Sequence, residues 1–95
     1  MQQQRIRPRK AAADLRALGW AVREARARRG LSQERLAIKA GLGPKYIGVV
    51  ERGEVSPTFK TLVLLSAELE VPLSELILVY ERQANEQVWT AVRTT

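Results

Sequence analysis

Apolar residues along this chain recur at steps of three and four, in short bursts separated by glycine and proline. From Ala11 to Arg28, Leu15, Leu18, Val22 and Ala25 mark one face of an amphipathic helix. Alanine and arginine favour helix in the intervening positions, and Gly30 stands where a C-terminal glycine would stop it. Gly19 weakens the middle of this helix, so its firm part begins near Leu18. Trp20 falls off the apolar stripe and calls for a separate explanation, such as packing under the N-terminal arm. A second helix is capped by Ser32, carries Glu34 in its first turn, buries Leu36, Ala37 and Ala40, and ends at Gly41. A third starts near Gly43 or Pro44, because proline is tolerated at the first helical position; it turns Ile47 and Val50 inward and closes at Gly53.

Ser56-Pro57-Thr58 announces a fourth helix, either hydroxyl being able to cap it, with Leu62, Leu65, Ala67 and Leu69 facing the core. Val71-Pro72 interrupts it. A fifth begins near Leu73, with Glu75 early and Leu76, Ile77 and Tyr80 buried. No segment alternates as a strand does, so the expected class is all-α with short connections. Residues 1–10, MQQQRIRPRK, read as a flexible basic arm, residues 11–80 as the domain, and residues 81–95 as a C-terminal extension. In the extension Ala84, Val88 and Ala91 continue the steps of Ile77 and Tyr80, with Trp89 and Val92 enlarging the apolar surface. Such a helix either pairs with a second copy or packs back onto its own monomer.

The second and third helices form a unit. Counting from Gln33, the fifth position is Ala37, the ninth Gly41, the tenth Leu42, the fifteenth Ile47 and the eighteenth Val50. Ala37 is small where the third helix crosses closely, Gly41 supplies a left-handed backbone for the sharp turn, Leu42 plugs that turn, and Ile47 and Val50 lock the third helix down. Two short helices joined steeply by a three- or four-residue turn are a helix-turn-helix.

Composition narrows the function classes. At 95 residues and 45% hydrophobic, the chain suits one small soluble domain and is too apolar for wholesale disorder. No run of apolar residues approaches a membrane span, and no signal-peptide core is seen at the N-terminus, so a cytoplasmic location is expected. Cysteine and histidine are both absent, which removes disulfides, thiol nucleophiles, the usual zinc ligands and the best proton shuttle at neutral pH. Neither catalysis, a metal, a cofactor nor a small-molecule ligand is expected. The net charge of +6 is uneven: residues 1–30 hold nine Arg/Lys against two acids, whereas residues 61–95 hold two against five. A basic front suits a polyanion.

The stretches GLSQERLA (30–37), KAGL (39–42), YIGVVERGE (46–54) and SPTFKTLVLLSAELEVPLSEL (56–76) together resemble the Cro/C1-repressor (XRE) family of helix-turn-helix regulators, over about Leu18 to Leu78. The resemblance implies a five-helix lambda-repressor-like DNA-binding domain, here with a short C-terminal helical extension, that binds double-stranded operator DNA as a homodimer and regulates transcription. It further implies a partly buried ion pair between Arg26 and Glu51, and phosphate contacts from Gln33 and Arg52. Tyr46 is either core or a phosphate donor. The base-reading positions become Gly43, Pro44, Lys45, Gly48 and Val49. Of these, Lys45 alone has a hydrogen-bonding side chain, Val49 suits a thymine methyl, and the two glycines leave the face bare. Glu54 beside the backbone loop repels phosphate. The arm residues Arg5, Arg7, Arg9 and Lys10 suit phosphates or an A·T-rich minor groove. YIGVVERGE is also similar to the small controller proteins of restriction–modification systems. The rival reading is an antitoxin-like adaptor whose helix-turn-helix scaffold binds a protein.

Overall fold

The computed structural model describes the backbone of residues 14–94 and the side chains of residues 14–84. Within that range the chain forms five helices and no strand: α1 (Leu15–Arg28), α2 (Gln33–Ala40), α3 (Tyr46–Glu51), α4 (Phe59–Leu69) and α5 (Leu73–Thr94). Three N-termini are capped by a side chain. Asp14 Oδ1 accepts from the Arg16 and Ala17 N–H groups, each at 3.1 Å, Ser32 Oγ from Arg35 N–H at 3.0 Å, and Thr58 Oγ1 from Thr61 N–H at 3.1 Å. Each satisfies one or two of the donors a helix start leaves free. The Asp14 cap places the start of α1 at Leu15, four residues later than the periodicity predicts; residues 11–13 lie outside the described residues.

α3 also begins later than expected. Tyr46 N–H donates to the Gly43 carbonyl at 3.1 Å, so Gly43, Pro44 and Lys45 form a turn ahead of the helix, and Lys45 caps it without a side-chain bond. Four helices end in the left-handed conformation. Gly41 (φ 70°) lets Leu42 N–H return to the Ala37 carbonyl at 2.8 Å, which closes α2 and sets the sharp turn. α4 ends the same way on Glu70 (φ 59°), where a side chain is strained.

The core is built from Val22 of α1, Leu36, Ala37 and Ala40 of α2, Ile47 and Val50 of α3, and Leu65 and Leu69 of α4. Leu42, Tyr46 and Val71 pack at its edge. Ala67, expected in the core, is exposed, and Ser66 is buried instead with its hydroxyl donating to the Val63 carbonyl at 2.9 Å. The buried face of α4 therefore runs through Leu65, Ser66 and Leu69, with Leu62 half-buried and Ala67 outside it. Leu76 is buried as expected, while Ile77 and Tyr80 are only half-buried. Tyr80 accepts a 3.4 Å hydrogen bond from Asp14 N–H, tying the start of α1 to α5. α5 runs without a break across residues 80 and 81.

Gly19 marks where α1 crosses α3. A Cβ there would fall onto the Glu51 carbonyl oxygen and stand 2.6 Å from that of Val50. The glycine that weakens α1 as an isolated helix is what lets its axis approach the end of α3.

Candidate nucleic-acid interface

The α2–turn–α3 unit presents one exposed edge. Gly43, Pro44 and Lys45 are exposed at the start of α3, and Val49 is half-buried one turn on. Gly48 departs from expectation: it is buried, not bare. A Cβ on it would lie 3.2 Å from Gln33 Oε1 and 3.1 Å from an Arg52 guanidinium nitrogen, so two polar side chains roof the backbone there. The face is therefore more polar than the residue types of α3 suggest, because its hydrogen-bonding groups come from α2 and from the residue after α3.

Those groups are organised by Glu51. Its Oε2 accepts from Arg26 Nε at 2.6 Å, and its Oε1 accepts from a second Arg26 nitrogen at 3.0 Å and from Gln33 Nε2 at 2.9 Å. Arg26 also donates to the Leu31 carbonyl at 2.8 Å. The Glu51 side chain is only 4% exposed and that of Arg26 16%. Two forked bonds and a third donor satisfy the carboxylate, which is what a charge this buried needs. The hydrogen bond to Glu51 holds the Arg26 guanidinium above its ordinary pKa, against the opposing effect of burial. α1, α2 and α3 are thereby cross-braced at one point.

Gln33 is placed at the first turn of α2 with its amide committed to Glu51. The NH2 group carries a second hydrogen, so a bond to a phosphate oxygen does not require breaking the first. Arg52 is exposed and pairs with Glu54 at 2.9 and 3.3 Å. Hydrogen bonding to Arg52 pulls the Glu54 carboxyl below its usual range, and the same bond pushes Arg52 up. Glu54 is thus an internal counter-ion of Arg52 more than a free repulsive charge. Tyr46 is half-buried against the core. The arm cations Arg5, Arg7, Arg9 and Lys10 lie outside the described residues.

Three side chains border this edge: Trp20, which the periodicity set apart from the apolar stripe, and two arginines that it passed over. Arg16, Trp20 and Arg23 are exposed along one stripe of α1, at i, i+4 and i+7, beside the Gly19 crossing. Their spacing was visible in the sequence, but nothing there placed the stripe next to Arg52. Among the described residues no group of acidic side chains is arranged to hold a metal ion, and no helix is long and apolar enough to cross a membrane.

Residues 22–76 match the helix-turn-helix family. The chain is 35% identical over 78 residues to the HTH-type transcriptional regulator SlrR of Bacillus subtilis, covering 76% of this chain and 51% of that protein. It spans about half the length of that curated relative. Among solved structures it is similar to the restriction-modification controller protein C.AhdI from Aeromonas hydrophila, with a TM-score of 0.65 and 41% identity over 67% of this chain and 97% of that one. It is likewise similar to the restriction-modification controller protein C.Esp1396I, solved as a tetramer in complex with its natural 35 base-pair operator, with a TM-score of 0.67 and 28% identity over 74% of this chain and 92% of that one.

Proposed function

The chain belongs to the helix-turn-helix family, and from that membership we propose that it is a sequence-specific DNA-binding transcriptional regulator that acts in the cytoplasm as a homodimer. The observation that carries the reading is the brace at Glu51. It fixes the far end of α3 to α1 and α2, leaving the Gly43–Lys45 turn exposed at the near end. An exposed helix start with a rigid rear is what major-groove insertion requires. The relatives named as transcriptional regulators, and the neighbour solved on its operator, support the same conclusion.

In this reading Lys45 donates to guanine O6 or N7, Val49 meets a thymine methyl, and Gly43 and Pro44 permit close approach. Gln33 and the free N–H groups at the start of α2 take one phosphate, with the helix dipole favouring the anion. Tyr46 flanks it, Arg52 meets the backbone beside it, and Gly48 is the floor between Gln33 and Arg52. The arm residues Arg5, Arg7, Arg9 and Lys10 add phosphate or minor-groove contacts. A second copy would set two α3 helices about 34 Å apart, one helical turn of DNA. Phe59 and Val63, a turn apart on α4 and exposed at 70% and 44%, are apolar surface that such a copy can cover. The C-terminal half of α5 is the other candidate for this contact.

Selection of bound sequences from a random duplex pool tests the proposal. The wild type should enrich a two-fold symmetric site, and Lys45→Ala should relax one base position in each half while leaving phosphate-driven affinity largely intact. No enrichment at low salt would refute the regulator and leave the protein-binding adaptor. Sedimentation should give a dimer at tens of micromolar, and Phe59→Glu should weaken it.

A further inference from the structure

α1 carries a second cationic surface, adjoining the helix-turn-helix edge at Arg52. Arg16, Trp20 and Arg23 from α1, with Glu51, Arg52 and Glu54 from the end of α3, line an open cleft of about 450 Å³. Its charges do not cancel. Glu51 is neutralised by Arg26, and Glu54 by Arg52. Arg16 and Arg23 make no ion pair among the described residues. A cleft between α1 and the start of α5 differs on this point: there Arg28 and Arg29 face Glu24 and Glu70 at 3.8 and 2.8 Å. The net positive field belongs to the Trp20 cleft.

Two close backbone approaches build it. Gly19 sets α1 directly on the Val50 and Glu51 carbonyls, and Gly53 receives the stem of Arg16, whose Cγ would stand 2.9 Å from a Cβ at that position. Arg16 is thus anchored by its stem at the rim of the cleft, and the indole of Trp20, 43% exposed, forms an apolar wall with one N–H donor. A wall that excludes water strengthens the attraction of the neighbouring guanidinium groups for an anion. α3 is six residues long, so the cleft lies about 10 Å along its axis from Lys45 at 1.5 Å per residue. That is about three nucleotides of rise along one DNA strand.

We propose that this cleft is a second DNA-backbone site: Arg16, Trp20 and Arg23 hold a phosphodiester of the duplex whose bases α3 reads, and Glu54 competes with that phosphate for Arg52. The inference rests on the regulator reading and adds to it a contact from α1 that neither the motif nor the arm supplies. Glu54 occupies the guanidinium fork as an internal anion in the free protein. On DNA the phosphate takes its place, and the carboxylate turns to solvent. The cleft then grips the strand on the α1 side of Arg52, while Gln33 grips it on the other side of Gly48, from α2.

The test uses the full chain and the duplex enriched by selection. Salt titrations of binding should give a log–log slope flatter by about 0.9 for the Arg16→Ala/Arg23→Ala double variant, because losing the one phosphate contact removes that increment. Arg16→Lys/Arg23→Lys should keep the wild-type slope. Trp20→Ala should weaken binding with no change of slope, since the indole has no charge. Glu54→Gln should bind severalfold tighter than wild type. All four side chains are exposed, so circular dichroism melts should match the wild type. Neutral methylphosphonates placed singly along the duplex should locate the phosphate. One position should weaken the wild type and leave the Arg16→Ala/Arg23→Ala double variant unaffected. A wild type that binds its selected site with no position coupled to these arginines overturns the cleft and spares the regulator. A wild type that enriches no sequence overturns both.

Discussion

Gly19→Ala separates the two roles of a helix glycine by sign. On helix propensity alone the substitution should stabilise α1, by about 0.8–1.0 kcal/mol at an interior position. Packing opposes it. The added carbon would fall onto the Glu51 carbonyl oxygen and stand 2.6 Å from the Val50 oxygen and 2.7 Å from the Glu51 carbonyl carbon. These are backbone atoms of a braced helix, so no rotamer change can clear them, and the cost belongs at the upper end of the roughly 1–3 kcal/mol typical of overpacking. The expected net loss is about 2 kcal/mol. For a domain of this size that lowers Tm by about 8–16 °C, read by circular dichroism at 222 nm and by urea denaturation. Gly43→Ala is the control: nothing lies within 4 Å of a Cβ there and its φ is ordinary, so it should be neutral or gain about 0.4–1 kcal/mol. A Gly19→Ala protein as stable as the wild type, or more so, would show that α1 can lift off α3 freely. The α1 arginines would then no longer be held beside Arg52.

Arg26→Ala strands the Glu51 carboxylate and should cost about 3–5 kcal/mol in urea denaturation, with Arg26→Met/Glu51→Leu recovering much of the loss; a single-variant loss under about 1 kcal/mol would contradict a buried pair. Glu70→Asn relieves a left-handed side chain at the end of α4, worth roughly 1–2 kcal/mol, and gives up an exposed pair with Arg29 worth about 0–1 kcal/mol, so Tm should rise by a few degrees. A fall in Tm would mean the Arg29 contact outweighs the strain. The Glu54 carboxyl is held below the usual carboxylate range by Arg52, so whatever the pair contributes is complete above the unfolded value and is lost as pH falls through the lowered folded value. NMR titration should show that depression in the wild type and its disappearance in Arg52→Ala; an unchanged Glu54 titration would refute the pairing.

The fold was legible where a residue type has one local job. Ser32, Thr58, Gly41 and Gly53 punctuate the helices as their chemistry dictates, and the Ala37–Gly41–Leu42–Ile47–Val50 spacing encodes the crossing of α2 and α3. Legibility failed where two forces compete at one position. Gly19 reads as a weak helix former because propensity is local, whereas its reason is a contact 31 residues away in sequence with Val50. Ala67 and Ser66 exchange expected places because hydrophobicity ranks alanine inside, yet Ser66 satisfies its hydroxyl on the preceding turn and so can be buried at small cost. Pro44 permits a helix start but does not demand one, and the chain uses it in the turn.

The candidate site was half legible, and the missing half concerns which side chains cover which backbone. Read as a string, α3 offers Gly48 as bare surface and Lys45 as its only polar reader. In three dimensions Gln33 and Arg52 close over Gly48, and both are tied to carboxylates, Gln33 to Glu51 and Arg52 to Glu54. The two ties differ in what DNA can do to them. Glu51 is buried and already holds Arg26, so displacing Gln33 would leave its Oε1 one donor short; in the proposed complex Gln33 would meet a phosphate with its second hydrogen while keeping the first bond. Glu54 is exposed, and solvent can take over its hydrogen bonds when Arg52 leaves. One flank of the reading face is therefore fixed and the other exchangeable. Gly48 lies between the two flanks, and a Cβ there would require the Gln33 amide oxygen at 3.2 Å and the Arg52 guanidinium at 3.1 Å each to shift by a few tenths of an ångström.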